Sequence, residues 1–191
     1  MKIAAGFKAH SGWAALVVIG SSSDGFVVID RRRIELVDEP WAKQPYHAAE
    51  DLPAAEARRL VQRGIDAAHR NAKREMRAFV KRCSDAGHEI AGCAVLVGSP
   101  MPDWTIEQIR SVHVRMHKAE GVLFPAALIA AAEACDVNVA AIPEKELPAT
   151  FDNDVAKLGK TVGPPWGKDQ KTAAVAALIM FANVKWLSRT V

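Results

Sequence analysis

The stretch Ile3-Ala4-Ala5-Gly6-Phe7-Lys8-Ala9-His10-Ser11-Gly12-Trp13, IAAGFKAHSGW, decides how the chain is read. Ile3–Phe7 has the apolar make-up of a short strand, and the small and polar residues after it read as a turn into a second strand. A first strand that ends in such a turn is a common place for chemistry in α/β folds. Here the residues at that place are Lys8 and His10, not a carboxylate or a run of glycines.

Working outward, WAALVVI within Ser11–Ile19 is a second strand, and Ser21-Ser22-Ser23-Asp24-Gly25 is a strong turn signal. Phe26–Leu36 is a third strand, apolar at first and then charged through Asp30, Arg31, Arg32 and Arg33, as suits an edge. Asp38–Tyr46, with Pro40, Trp41 and Pro45, reads as a loop. A long helix is expected over Pro53–Cys83, with Asp51 as its N-cap, an apolar stripe at three- and four-residue spacing, and Gly87 as its stop. Ile90–Val97, IAGCAVLV, is apolar throughout, like a strand buried on both faces. Thr105 with Gln108 forms a capping box for a second helical region that runs to about Ala134, bent or restarted near Gly121 and Pro125. Val137–Ile142 is a fifth strand, and Glu144–Gly163 is loop-like with a short helix around Asp154–Leu158. Lys168–Leu187 is a last helix.

The order β-β-β-α-β-α-β-α, without repeats or a low-complexity linker, predicts one α/β domain over residues 1–191, built on a mixed sheet. Half of the residues are hydrophobic, mean hydropathy is zero, and no apolar run reaches the roughly 20 residues of a membrane span. Cys83, Cys93 and Cys135 lack paired spacing, which predicts reduced thiols and a cytoplasmic location and argues against a cysteine zinc site. A net charge of +3 permits an anionic partner without demanding one. No Walker loop, GxSxG elbow or GxGxxG fingerprint is present.

Three segments resemble the RuvC-type Holliday-junction resolvase branch of the ribonuclease H-like superfamily. GFKAHSGWAALVV, Gly6–Val18, resembles its first hairpin, and HKAEGVLFPAALIAAAEACDVNVAAIPEKEL, His117–Leu147, resembles its helix-strand segment. TVGPPWGKDQKTAAVAAL, Thr161–Leu178, resembles the region leading into its last helix. The resemblance implies a ribonuclease H-like mixed five-stranded sheet with helices on both faces. It also implies acidic residues at the ends of strands one and four and on the last helix, holding two divalent cations that activate water against a phosphodiester. Lys8 stands where the first of these belongs and Gly98 or Val97 where the second does; on the last helix Asp169 matches one acidic position and Thr172 occupies the other. One carboxylate cannot assemble a two-metal site, and an ammonium at Lys8 repels a cation or replaces it.

Several constellations carry chemistry. His113, His117 and Glu120 fall on one helix face, where two imidazoles and a carboxylate suit a divalent metal such as Mg, Mn or Zn, with His10 as a further imidazole; the plainer reading is two hydrogen-bonding histidines. Lys8, His10 and Asp169, the candidate catalytic residues, form with Lys168 and Lys171 a set near the start of the last helix that would attract phosphate; the plainer reading is a Lys8–Asp169 ion pair. Arg63, Arg70, Arg74, Arg77 and Lys81 keep to one side of the long helix, a footprint for DNA or RNA backbone or else a solvated face. Trp41, Tyr46, Trp104 and Trp166 lie in loops, as stacking residues or as covers for the core edge.

Two functions follow. One is a non-catalytic RuvC-like protein that binds nucleic acid or another partner. The other is a metal-dependent nuclease or phosphodiester hydrolase with a non-standard site of His10, His113, His117, Glu120 and Asp169. The alanine-rich runs Ala126–Ala134 and Ala173–Ala182 also raise a homodimer.

Overall fold

The computed structural model describes residues 1–182. Five strands form one sheet in the order β3-β2-β1-β4-β5: β1 (Lys2–His10), β2 (Trp13–Ser22), β3 (Gly25–Glu35), β4 (Glu89–Val97) and β5 (Val139–Pro143). β1 pairs antiparallel with β2 and parallel with β4, and β4 pairs parallel with β5, so the sheet is mixed as expected. The helices are α1 (Pro45–Ala48), α2 (Ala54–Asp85), α3 (Ile106–Arg110), α4 (His113–Glu133), α5 (Asp152–Val162) and α6 (Lys168–Ile179).

Strand periodicity divides the core into two layers. Ile3, Ala5 and Phe7 of β1, with Leu16 and Val18 of β2 and Val95 of β4, pack under α2 and α4 through Met76, Phe79, Phe124 and Leu128. Val17, Ile19, Ala94 and Leu96 point the other way, onto α6 and Leu158 of α5. Gly6 shows how closely α6 lies on β1: a Cβ there would sit 1.8 Å from the backbone oxygen of Ala173. Only glycine on the strand and alanines on the helix permit that approach, and Ala173, Ala174, Ala176 and Ala177 are all buried. The alanine run therefore has a partner within the domain.

The long helix ends as expected. Gly87 adopts φ +67°, the His88 N–H donates to the Cys83 carbonyl and the Gly87 N–H to that of Ser84, a Schellman cap. Its start differs: the N-cap is Pro53, without a side-chain cap, and Asp51 lies outside it. Asp38–Tyr46 is not a bare loop, because a 3-10 turn at Pro40–Lys43 leads into α1, each opened by a proline pre-set for a first helical position. The Thr105–Gln108 capping box forms, but the helical region restarts at Ser111–Val112, and α4 runs unbroken through Gly121 and Pro125. Pro125 removes one helix bond, and buried Phe124, Ala127 and Leu128 hold α4 on the sheet around it. α5 is longer than the helix predicted at Asp154–Leu158. Of the helix predicted to Leu187, α6 covers the part to Ile179, and residues 183–187 lie outside the described residues.

Cys83, Cys93 and Cys135 are free thiols, and burial pushes Cys93 up to about 12, which keeps it protonated and inert. Among the described residues no helix is long and apolar enough to cross a membrane.

Candidate functional site

Both groups of candidate residues lie at the end of the sheet where β1, β4 and β5 finish, but on opposite layers. On the α6 layer, Lys8 and His10 share the face of Gly6, two and four residues further along β1. The residue registered beside Lys8 on β4 is Leu96, buried and apolar, and Leu96 is registered with Ile142 on β5. The Lys8 ammonium donates to the carboxylate of Glu144, which follows β5 and extends back toward β1. Asp169 on the first turn of α6 is left to His10, whose Nε2 lies 3.1 Å from its Oδ1, a close contact not aligned as a hydrogen bond. The predicted Lys8–Asp169 pair is therefore replaced by two pairs, Lys8–Glu144 and His10–Asp169. The His10 ring stacks on Trp13 with centroids 4.4 Å apart, and the Arg33 guanidinium stands 4.0 Å from the Trp13 centroid. Thr172 donates its hydroxyl to the carbonyls of Lys168 and Asp169. Lys168 and Lys171 are exposed at the same helix start.

On the α4 layer, the break at Ser111–Val112 starts a new helix at His113, which brings His113 and His117 to its first turns, one above the other. Their Nε2 atoms are 3.1 Å apart. The imidazole that joins them is His47 of α1, with its ring centroid 5.0 Å from that of His113 and 4.5 Å from that of His117. His10 is elsewhere, against Asp169.

Glu120 does not point at His113 or His117. Its side chain is 3% exposed and turns under α1, where Oε1 accepts the backbone N–H groups of Tyr46 and His47 at 3.2 Å and Oε2 lies 2.7 Å from His47 Nδ1. An ionised carboxylate can only accept, so His47 Nδ1 carries the proton and donates it. That leaves Nε2 as the ring nitrogen for the cluster, and it is buried without a hydrogen-bond partner. The nearest carboxylate to His113 Nδ1 is Glu50, at 3.9 Å. Burial, with the Glu120 charge adding to it, raises the Tyr46 phenol and keeps it neutral.

The basic side of α2 is as drawn from its spacing. Arg63, Arg70, Arg74, Arg77 and Lys81 are all exposed. At about 100° and 1.5 Å per residue they fall within an arc of about 60° along about 27 Å of helix. Arg74 leans on Asn71 and Glu75, Lys81 pairs with Asp85, and Arg63 lies 5.2 Å from the Trp41 centroid. Arg70 and Arg77 make no ion pair among the described residues. The loop aromatics are engaged at the core edge: Tyr46 is buried, Trp104 lies under Arg115, and Trp166 packs on Gly159 and donates to the Val155 carbonyl.

Two participants escape a reading of the sequence. His47 lies 73 residues from the carboxylate that orients it and 136 residues separate Lys8 from Glu144, so no local spacing links either pair. The only hint is chemical: a lone histidine after Pro45, and a carboxylate directly after a strand's closing proline.

No protein-family model matches the chain, and no curated protein sequence does. Solved structures do, among them two of RuvC. Thermus thermophilus RuvC in complex with a Holliday junction substrate superposes with a TM-score of 0.51 at 13% identity, covering 95% of each chain. A second Thermus thermophilus RuvC structure gives 0.52 at 13% identity, covering 94% of each. With the sheet order 3-2-1-4-5 and helices on both faces, the chain has a ribonuclease H-like fold of the RuvC type.

Proposed function

We propose that this protein is a RuvC-like domain that binds nucleic acid without two-metal phosphodiester chemistry. The observation that carries the binding is the arc of five exposed cations on α2, of which Arg70 and Arg77 have no carboxylate partner among the described residues. A phosphate backbone bound along such a row releases its condensed counterions into solution, and that release favours association most at low salt. Lys168 and Lys171 at the start of α6 add positive charge on the opposite layer. One of the RuvC structures of the same fold holds a Holliday junction, which makes a four-way junction the first substrate to try.

The strand-end residues do not fit a pair of hard divalent cations. Such ions take oxygen ligands, several of them carboxylates. Here the β1 position supplies an ammonium, the β4 residue registered beside it is the apolar Leu96, the Val97 and Gly98 that follow carry no carboxylate either, and both nearby carboxylates already face cationic or ionisable nitrogens. Positive charge is fixed in the protein where an ion would otherwise have to be recruited.

Fluorescence anisotropy with a labelled four-way junction, a duplex and a single strand tests the reading. Association should be tight at low salt and fall steeply as salt rises. Replacing Arg70 and Arg77 together by alanine should flatten that salt dependence. An absence of binding at low salt to any of the three would overturn it.

A further inference from the structure

We infer that His47, His113 and His117 form a centre for a single zinc-type divalent ion, with Glu120 as the residue that positions His47. The inference is independent of nucleic-acid binding and involves none of the residues placed at the strand end. One donor nitrogen from each of the three rings lies within 4.8 Å of the other two. The 3.1 Å between the Nε2 atoms of His113 and His117 is close to the edge of a tetrahedron of zinc–nitrogen bonds, roughly 3.3 Å for bonds of about 2.05 Å.

The surroundings point the same way. A ligating histidine usually donates its other ring N–H to a carboxylate or a carbonyl, which fixes the tautomer and raises the basicity of the ligating nitrogen. His47 has that arrangement in full: Nδ1 donates to a buried carboxylate that is itself anchored by two backbone N–H groups, and Nε2 is buried with no partner. A pair of hydrogen-bonded surface histidines explains the His113–His117 contact but leaves the His47 nitrogen unaccounted for. Three imidazoles are borderline ligands suited to zinc, cobalt or nickel and poor for magnesium. His113 and His117 are exposed, so the fourth position opens to solvent and takes water or another oxygen ligand. An ion held there ties α1 to the first turns of α4.

The test uses the full untagged chain, stripped with a chelator and titrated by calorimetry with zinc chloride and, separately, magnesium chloride. One zinc per chain and no saturable magnesium binding are expected. Because His113 and His117 are exposed, His113→Ala and His117→Ala should fold normally, and each should weaken zinc binding by roughly 100-fold or more. Glu120→Gln should weaken it 10- to 100-fold with the stoichiometry kept. Cobalt supplies a readout that a purely structural Glu120 would not move. The strong visible bands of four-coordinate cobalt should appear in the parent protein, shift in Glu120→Gln and vanish in His117→Ala. Zinc binding that is absent, or unchanged in His117→Ala, overturns the inference and leaves the nucleic-acid reading untouched.

Discussion

At one end of the same sheet, two clusters place their carboxylates on opposite sides of their nitrogens. On the α6 layer the acids face inward: Glu144 takes the Lys8 ammonium and Asp169 stands against the His10 Nε2. On the α4 layer the acid stands behind the imidazole, holding His47 by Nδ1 and turning its other nitrogen toward His113 and His117. A carboxylate in front of a nitrogen closes a site by standing where an ion would bind, even where, as at His10, the contact is not a hydrogen bond. A carboxylate behind a nitrogen opens one, because it fixes the ring and leaves a lone pair aimed at empty space. Both clusters set carboxylates against imidazole nitrogen and differ in which nitrogen the carboxylate meets.

Breaking the α6 side at its base should have the largest effect. Gly6→Ala sets a Cβ against the Ala173 backbone, which no side-chain rotation relieves, so α6 must lift from β1 and carry Asp169 away from His10. A loss of more than about 3 kcal/mol in urea unfolding is expected. On the α4 side, Glu120→Ala leaves two backbone N–H groups and His47 Nδ1 without their acceptor inside the protein. The expected cost is about 2–3 kcal/mol by the same measurement, and it should exceed the cost of removing any residue of the strand-end pairs. Lys8→Met keeps an unbranched apolar stem and takes away the charge opposite Glu144. Since Glu144 is partly open to water, the loss should be only about 1 kcal/mol. The smallest stability effect belongs to Arg70→Ala with Arg77→Ala on the solvated side of α2, within about 0.5 kcal/mol for each change. The same pair should reduce the slope of log affinity against log salt on duplex DNA by about 1.8, two phosphate contacts at about 0.9 each.

The fold was readable because its signals are local. The apolar run Ile90–Val97, the turn at Ser21–Gly25, the capping box at Thr105 and the stop at Gly87 each act within a few residues, and each stands where its chemistry predicts. Gly6 and the alanines of α6 were readable as small residues, but only the packing shows that they fit one another. The sites were half readable. The spacing of His113 and His117 places them together on any helix, whereas His47 comes from a short turn whose position is set by Glu120 and by the packing of Tyr46. Glu120 shares the helix face of the two histidines by sequence. Its side chain instead accepts the backbone N–H groups of Tyr46 and His47 at the start of α1, which would otherwise be buried without a partner. Lys8 meets Glu144 rather than Asp169, and no sequence spacing encodes which of two acids a flexible ammonium meets.

The central claim, that the strand end holds fixed charge in place of metal ions while the molecule still binds nucleic acid, has one direct test. A labelled four-way junction is incubated with the protein in millimolar magnesium or manganese, with binding followed by anisotropy and strand integrity by denaturing gel in the same tubes. Full binding with intact strands is the predicted result. Metal-dependent cleavage that disappears in Asp169→Asn would contradict it.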